Sequence, residues 1–88
     1  MLIGATSCDE ELTTPVFWDN FDYTNEKLRQ CEEIIELVSE RSVHFVPLFE
    51  KFSQANQAQT LLADGLHPND KGHEFIAGVV LAKLQELT

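Results

Sequence analysis

Apolar positions along the chain are spaced so that they predict two strands and three helices. Residues 2–5 form a short apolar run that ends at polar and acidic positions, which is typical of a buried strand that leaves a sheet into a loop. From Thr24 or Asn25 to about Arg41, apolar residues recur every three or four positions and acidic residues occupy the opposite face. This pattern predicts an amphipathic helix that Thr24 or Asn25 caps.

A second strand and two further helices follow. The apolar run at residues 43–46 predicts a strand that Pro47 ends. Apolar residues from Leu48 onward predict a short helix, followed by a Gln/Asn-rich linker over residues 53–60. The last helix is predicted over residues 69–87, because its polar first residues are typical helix start signals.

The segment between the first strand and the first helix is rich in aromatic residues. We expect residues 12–23 to form an ordered loop or short turn that packs its rings over an edge of the fold. Burial against further strands is the favoured interpretation, and an exposed docking patch is the alternative. The rings concerned are those of Phe17, Trp18, Phe21 and Tyr23.

The order of the elements predicts an α/β fold. A strand–helix–strand unit of this length implies a right-handed crossover and a parallel strand pair. Parallel sheets are normally covered on both faces, and two short strands form an inadequate sheet by themselves. We therefore expect this chain to belong to a larger domain, with further strands upstream of Met1. We also expect the isolated chain to self-associate or to need the missing N-terminal part.

Composition and charge exclude several classes of protein. The 88 residues contain six Lys and Arg against fifteen Asp and Glu, a formal net charge of −9. Such an acidic chain is a poor ligand for nucleic acid or anionic lipid, so neither partner is expected. No apolar run is long enough to span a bilayer, and residues 1–6 lack the features of a signal peptide. Cys8 and Cys31 form no metal or redox motif; one disulfide stays open, but reduced thiols and a cytoplasmic location are favoured.

The densest group of chemically special residues is the loop at residues 64–73. Gly65 permits backbone angles that other residues avoid, and Pro68 restricts its own φ and the conformation of His67. A carboxylate three residues before an imidazole, across such a turn, can accept a hydrogen bond from Nδ1. Asp64 would then fix the tautomer of His67, leave Nε2 free as a base and stabilise the imidazolium. A Ser–His–Asp hydrolase needs this arrangement.

Two other interpretations of the same residues stay open. A D-x-x-H sequence is common in turns that merely precede and cap a helix. A metal site could be built from Asp64, His67 and His73, with His44 as a fourth ligand. Because His67 and His73 are six positions apart and straddle the helix start, we expect no metal and no cofactor. His73 is expected at the surface, and His44 is expected to be a buried strand imidazole.

Residues 61–77, L-L-A-D-G-L-H-P-N-D-K-G-H-E-F-I-A, closely resemble the C-terminal block of SGNH (GDSL-type) esterases. In that family D-G-x-H-P-N precedes a helix with a glycine near its start. Residues 2–6 look like the family's fourth core strand, residues 23–29 like its helix start Y-N-x-x-L-R, and residues 43–48 like its strand V-x-F-V-D-L. The L-L-A-D-G-L-H segment is also similar to isoamyl-acetate-hydrolysing esterases.

The resemblance implies a fold, a reaction and two site residues. Residues 1–88 would be a single partial domain, the C-terminal third to half of a flavodoxin-like three-layer α/β/α fold with a parallel sheet. His67 would be the general base and Asp64 its orienting acid in a hydrolase of small-molecule carboxylic esters. The resemblance implies no cofactor.

The chain also departs from the family. It contains no G-D-S nucleophile segment, no oxyanion-hole glycine segment and no G-x-N-D. Ser7 follows a strand but lacks the preceding Asp, so it is disfavoured as the nucleophile, and Pro47 stands where the family often has Asp. We therefore predict that the isolated chain is inactive as an esterase. The alternative is a non-catalytic remnant or interaction module that pairs through an exposed sheet edge at residues 2–5.

Overall fold

The fold is a mixture of helices with a short parallel sheet. The computed structural model describes residues 1–40 and 44–87, and all structural statements refer to these. Within them the elements are β1 (Leu2–Ile3), α1 (Glu10–Thr13), α2 (Asn25–Ser39), β2 (Phe45–Val46), α3 (Phe49–Ala58) and α4 (Asp70–Glu86). The predicted α/β class is thereby confirmed.

The two strands pair in parallel, as the strand–helix–strand order predicts. Leu2 is in register with Phe45, and Ile3 with Val46. The ladder continues past β1, because the Gly4 amide donates to the Val46 carbonyl at 2.8 Å. Helix α2 supplies the crossover between the strands and contacts both of them.

Helix α2 begins where the sequence indicates. Thr24 is its N-cap, and its side chain accepts a hydrogen bond from the Lys27 amide at 3.3 Å. Glu26 in the first turn complements the positive end of the helix dipole. The helix ends at Ser39. Its predicted end at Arg41 and the predicted start of the second strand at Val43 lie outside the described residues.

Two helical segments were not predicted. Helix α3 continues to Ala58, so the predicted linker over residues 53–60 is wrong for most of its length. Residues 53–58 contain two Ala and two Gln, which favour a helix, and the buried Phe52 side chain holds the preceding turn against the core. The acidic segment after β1 forms the short α1, because the Asp9 side chain caps it by accepting from the Glu11 amide.

The apolar core lies between α3, α4 and the loop that joins them. Phe52 and Leu61 are fully buried, and Leu48 and Leu62 complete the cluster. The Phe52 ring meets the Phe75 ring of α4 edge-on, with their centroids 6.0 Å apart. The core therefore adjoins the loop at residues 64–73, which carries the candidate site.

Several apolar side chains on α2 and α4 have no cover. On α2, Ile34, Leu37 and Val38 are all more than half exposed, and on α4 Leu81 is too. Additional structure can pack against these exposed side chains.

No helix in the described part of the chain is both long and apolar enough to cross a membrane.

One carboxylate joins the ends of both strands to α3. Glu32 Oε1, on α2, accepts from the amides of Leu48 at 2.9 Å and Phe49 at 2.8 Å, at the start of α3. The same oxygen accepts from the Ala5 amide at 3.1 Å, just after β1. Leu48 is the N-cap of α3 but has no side chain that can cap, so Glu32 supplies the cap from a neighbouring helix. A Cβ at Gly4 would overlap this carboxylate, which explains the glycine.

We expect Glu32→Ala to lower the free energy of unfolding by roughly 2–3 kcal/mol, because three partly buried amides lose their acceptor. Glu32→Gln keeps one acceptor oxygen and should cost about 1 kcal/mol. Glu33→Ala, an exposed neighbour, is the matched control and should change stability little. Urea denaturation of the three variants measures these differences, and equal effects at positions 32 and 33 would contradict the assigned role.

Candidate active site

The loop that follows α3 is closed at its base by backbone pairing. Leu62 and Pro68 form an isolated antiparallel bridge. On one side of it the Ala63 amide donates to the His67 carbonyl at 2.7 Å, and on the other the Asn69 amide donates to the Leu61 carbonyl at 2.9 Å. The intervening residues are thus held in a tight turn.

Two asparagines fix this loop to the adjoining helices. Asn56 of α3 accepts from the Leu61 amide through Oδ1 at 2.8 Å. Asn69 donates its side-chain amide to the Thr60 carbonyl at 2.9 Å, and its Oδ1 caps α4 by accepting from Gly72 at 2.8 Å. Because the Asn69 side chain bonds both to Thr60 at the base of the loop and to Gly72 at the start of α4, it fixes the loop relative to the helix.

Gly65 lies at the tip of the turn and adopts the conformation that the sequence predicts. Its φ is +93°, a value that favours glycine. The residue is buried against α1, where an added Cβ would lie 2.6 Å from Leu12 Cβ. Its carbonyl accepts from the Asp9 amide at 2.8 Å, which ties the turn to the N-terminus of α1.

Asp64 and His67, the two predicted site residues, are in direct contact. Asp64 Oδ1 accepts from the backbone amides of His67 at 2.7 Å and Leu66 at 2.9 Å. Its other oxygen, Oδ2, lies 2.6 Å from His67 Nδ1. The His67 backbone N–H is the main cause that lowers the pKa of the Asp64 carboxyl from its ordinary 3.8 to about 2, and the Leu66 amide and the imidazole add to it. Asp64 is therefore ionised at any physiological pH.

This contact defines the tautomer of the imidazole. An ionised carboxylate only accepts hydrogen bonds, so His67 Nδ1 carries the proton and Nε2 keeps its lone pair when the ring is neutral. The His67 side chain is 65% exposed, whereas that of Asp64 is only 26% exposed. Asp64 thus fixes the Nδ1 edge of the ring, and an incoming group can reach the exposed part of the imidazole.

Trp18 lies against the same imidazole. The two ring centroids are 5.6 Å apart and the ring planes are inclined at 41°. Phe17 meets the indole edge-on at 4.9 Å, and a shallow concavity of about 500 Å³ extends along residues 15–20. This contact is not predicted from the sequence, because nothing in the local pattern around Trp18 indicates that its partner lies 49 positions further along the chain.

The other candidate residues are Ser7, His44 and His73. Ser7 is buried, with 3% of its surface exposed, which gives no support to it as the nucleophile. His73 is exposed on the first turn of α4, as predicted, whereas His44 is exposed beside β2, so its predicted burial is wrong. No group of three His, Cys, Asp or Glu suited to a metal ion occurs among residues 1–40 and 44–87.

Both cysteines are free thiols. Cys31 is exposed on α2, and Cys8 is buried, which raises the pKa of its thiol. The amide of Cys8 donates to Asn25 Oδ1 at 2.7 Å, and its carbonyl accepts from Asn25 Nδ2 at 3.0 Å. Cys8 therefore helps to join the segment before α1 to α2.

A pair of glycine substitutions tests how tightly the site loop is held. Gly65→Ala should lower the free energy of unfolding by at least about 1–2 kcal/mol, because it strains a positive φ and forces the new Cβ against Leu12. Gly78→Ala, in the middle of α4 with open space around it, should raise stability by about 0.5–1 kcal/mol. Thermal and urea unfolding give both values, and a neutral Gly65→Ala would contradict the described turn.

The depressed pKa of Asp64 predicts a dependence of stability on pH. The carboxyl has a pKa of about 2 in the folded chain against an ordinary 3.8, so its contribution is present above pH 3.8 and is lost as the pH falls to about 2. As the pH falls from 3.8 to about 2, the free energy of unfolding should decrease more for the wild-type chain than for Asp64→Asn. Above pH 3.8 the two curves of unfolding free energy against pH should be parallel. Urea denaturation over this range measures both, and parallel curves throughout would show that the carboxyl is not stabilised.

Comparison with known proteins leaves the geometry as the principal guide to function. No family model matches the chain, and no curated protein and no solved structure matches it either. Function is therefore inferred from the Asp64–His67 pair, from the loop that holds it, and from the resemblance of residues 61–77 to an esterase block.

Proposed function

We propose that this chain supplies the His–Asp part of a carboxylic-ester hydrolase of the SGNH type, with His67 as general base and Asp64 as its orienting acid. The observation that carries the proposal is the 2.6 Å contact between Asp64 Oδ2 and Nδ1 of an exposed imidazole. It provides the tautomer, the orientation and the charge that a base in a Ser–His–Asp mechanism requires.

The proposed reaction has a defined route for the proton. A serine hydroxyl attacks the ester carbonyl carbon while His67 Nε2 takes its proton, and Asp64 stabilises the resulting imidazolium. As the tetrahedral intermediate collapses, the imidazolium returns the proton to the leaving alcohol. In the second half of the reaction, His67 Nε2 takes a proton from the water that attacks the acyl-serine carbonyl carbon. As this second tetrahedral intermediate collapses, the imidazolium returns the proton to the serine oxygen, which breaks the acyl–serine bond and releases the carboxylic acid.

Part of this machinery would come from segments that the sequence does not contain. There is no G-D-S serine and no G-x-N-D segment among the 88 residues, so the serine and the oxyanion donors belong to another segment in this proposal. Removal of one oxyanion donor typically slows such enzymes by about 10²–10³-fold. The isolated chain is accordingly expected to show no appreciable turnover of esters.

The fold is compatible with a partial flavodoxin-like domain. A parallel strand pair with a helical crossover is the repeating unit of such folds, and apolar residues on α2 are uncovered. In the proposed domain, further parallel strands would extend the two-stranded sheet and cover these side chains. The formal net charge of −9 also favours uncharged small esters over anionic ones as substrates.

A second candidate is an interaction module without catalytic activity. Its support is the exposure of apolar side chains at the sheet and on the helices, including Ile3 at 41% and Leu37 at 63%. Such a chain would pair through its sheet edge with a partner or with a second copy. Sedimentation of the isolated chain distinguishes a stable monomer from a self-associating one.

The catalytic proposal is tested in the native polypeptide, isolated from its source through an antibody against residues 61–77. With p-nitrophenyl acetate as substrate, His67→Ala should lower kcat by at least about 10³-fold and Asp64→Asn by about 10²–10⁴-fold. His73→Ala, an exposed histidine on α4, is the matched control and should keep its activity. Ester hydrolysis that survives loss of His67 would overturn the proposal.

A further test uses the 88-residue chain and needs no serine. Diethyl pyrocarbonate acylates an unprotonated imidazole nitrogen, and mass spectrometry resolves the three histidines. Because Asp64 fixes the Nδ1–H tautomer, His67 should react several-fold faster at mildly alkaline pH than exposed His44 and His73. Asp64→Asn should remove this difference, whereas equal rates in the wild-type chain would count against the proposal.

A further inference from the structure

The contact between Trp18 and His67 joins two segments that the fold holds together independently of either ring. Trp18 belongs to the aromatic loop, residues 14–23, which follows α1. The neck of this loop is closed where the Tyr23 amide donates to the Thr13 carbonyl at 2.9 Å and Thr13 Oγ1 donates to the Tyr23 carbonyl at 2.7 Å. The aromatic loop is therefore fixed to α1.

Helix α1 is in turn fixed to the turn that carries His67. The Asp9 amide donates to the Gly65 carbonyl at 2.8 Å, and Leu12 packs against Gly65. Inside the aromatic loop, buried Val16 donates its amide to the Phe21 carbonyl at 2.9 Å. These bonds place the indole next to the imidazole through a short chain of contacts.

The indole does not belong to the apolar core of the described structure. Trp18 is 44% exposed and the His67 side chain is 65% exposed, so neither ring belongs to the core. Phe17, whose ring supports the edge of the indole, is 83% exposed. The indole therefore contacts the imidazole at the surface of the described structure, with the Phe17 ring against the indole edge.

The arrangement restrains the imidazole in two directions. The terminal torsion of a histidine is soft, so a single hydrogen bond at Nδ1 leaves the ring free to tilt about that bond. Asp64 holds one edge of the ring at 2.6 Å, and the indole lies against one face. In addition, the π face of tryptophan attracts a cation, which favours the imidazolium as it forms.

We propose that Trp18 is a positioning residue for His67: its indole holds the imidazole in the plane in which Nδ1 meets Asp64 and Nε2 is presented, and it stabilises the imidazolium. This inference rests on the proposed hydrolase function, since it assigns Trp18 to the same proton transfer. Phe17 supports the indole in this role by its edge-on contact.

The first test measures the contact in the isolated chain and does not depend on ester hydrolysis. Trp18 is the sole tryptophan, so all indole emission reports on its surroundings. A protonated imidazole quenches indole emission more strongly than a neutral one, and the wild-type chain should therefore show a quenching step between mildly alkaline and mildly acidic solution. His67→Gln should abolish the step and His73→Gln should keep it. A missing step, or one that survives in His67→Gln, overturns the inference.

The second test measures the consequence for the reaction. In the native polypeptide, Trp18→Ala should lower kcat about fivefold and shift the pH profile of kcat, with a smaller effect on KM. Trp18→Phe retains a π face and should recover most of the rate. Phe21→Ala, which removes another exposed ring of the aromatic loop, should leave both the rate and the pH profile unchanged.

The outcomes separate the two proposals. If His67→Ala leaves ester hydrolysis intact, the proposed hydrolase role of His67 is wrong. The quenching step then still measures the ring contact independently. If His67→Ala abolishes hydrolysis but Trp18→Ala leaves the rate and its pH profile unchanged, the hydrolase function stands and the role of Trp18 is wrong. Equal losses in Trp18→Ala and Phe21→Ala would also overturn it, since a general effect on the loop would then suffice.

Discussion

The carboxylate of Glu32 is the constraint on which the rest of this small fold depends. Two short strands contribute few ladder hydrogen bonds, and a sheet of this size is marginal by itself. Glu32 adds three backbone hydrogen bonds at the point where β1 ends and α3 begins. Because the acceptor is charged and its donors are partly buried amides, each bond is stronger than a neutral surface contact.

Hydrogen bonds connect α3 to the loop that carries the candidate site. Glu32 fixes the first turn of the helix, and Phe52 anchors its middle in the core. Asn56, near its end, then accepts from the Leu61 amide, and the Leu61 carbonyl accepts from Asn69. A short series of hydrogen bonds thus runs from the sheet to both ends of the loop that carries Asp64 and His67.

Asp64 combines a structural and a chemical role in one side chain. One of its oxygens stabilises the turn through two backbone amides, and the other orients the imidazole. The backbone contacts lower the pKa of the carboxyl most strongly, so the loop itself keeps the partner of His67 ionised. For the same reason asparagine, which retains an oxygen acceptor for the amides, separates the two roles better than alanine does.

The local pattern of the sequence determined most of the helices, the parallel strand pair and the Asp64–His67 contact. Capping by Thr24 and Asn69, and the spacing of Asp64 and His67 across Gly65, act over three or four residues, where sequence alone fixes geometry. The same local reasoning failed at residues 53–58, where the polar composition indicates a linker although two Ala and two Gln favour continuation of α3.

Only the tertiary structure decided the long-range contacts of the site. The placement of Trp18 against His67 and the capping of α3 by Glu32 join residues that are far apart along the chain, so no local pattern indicates them. The exposure of His44 likewise depends on what packs beside its strand rather than on its apolar neighbours in sequence. Sequence thus determined the identity and the pairing of the two candidate catalytic side chains, because that pairing is local. Tertiary structure decided what surrounds them, because distant segments meet there only after the chain has folded.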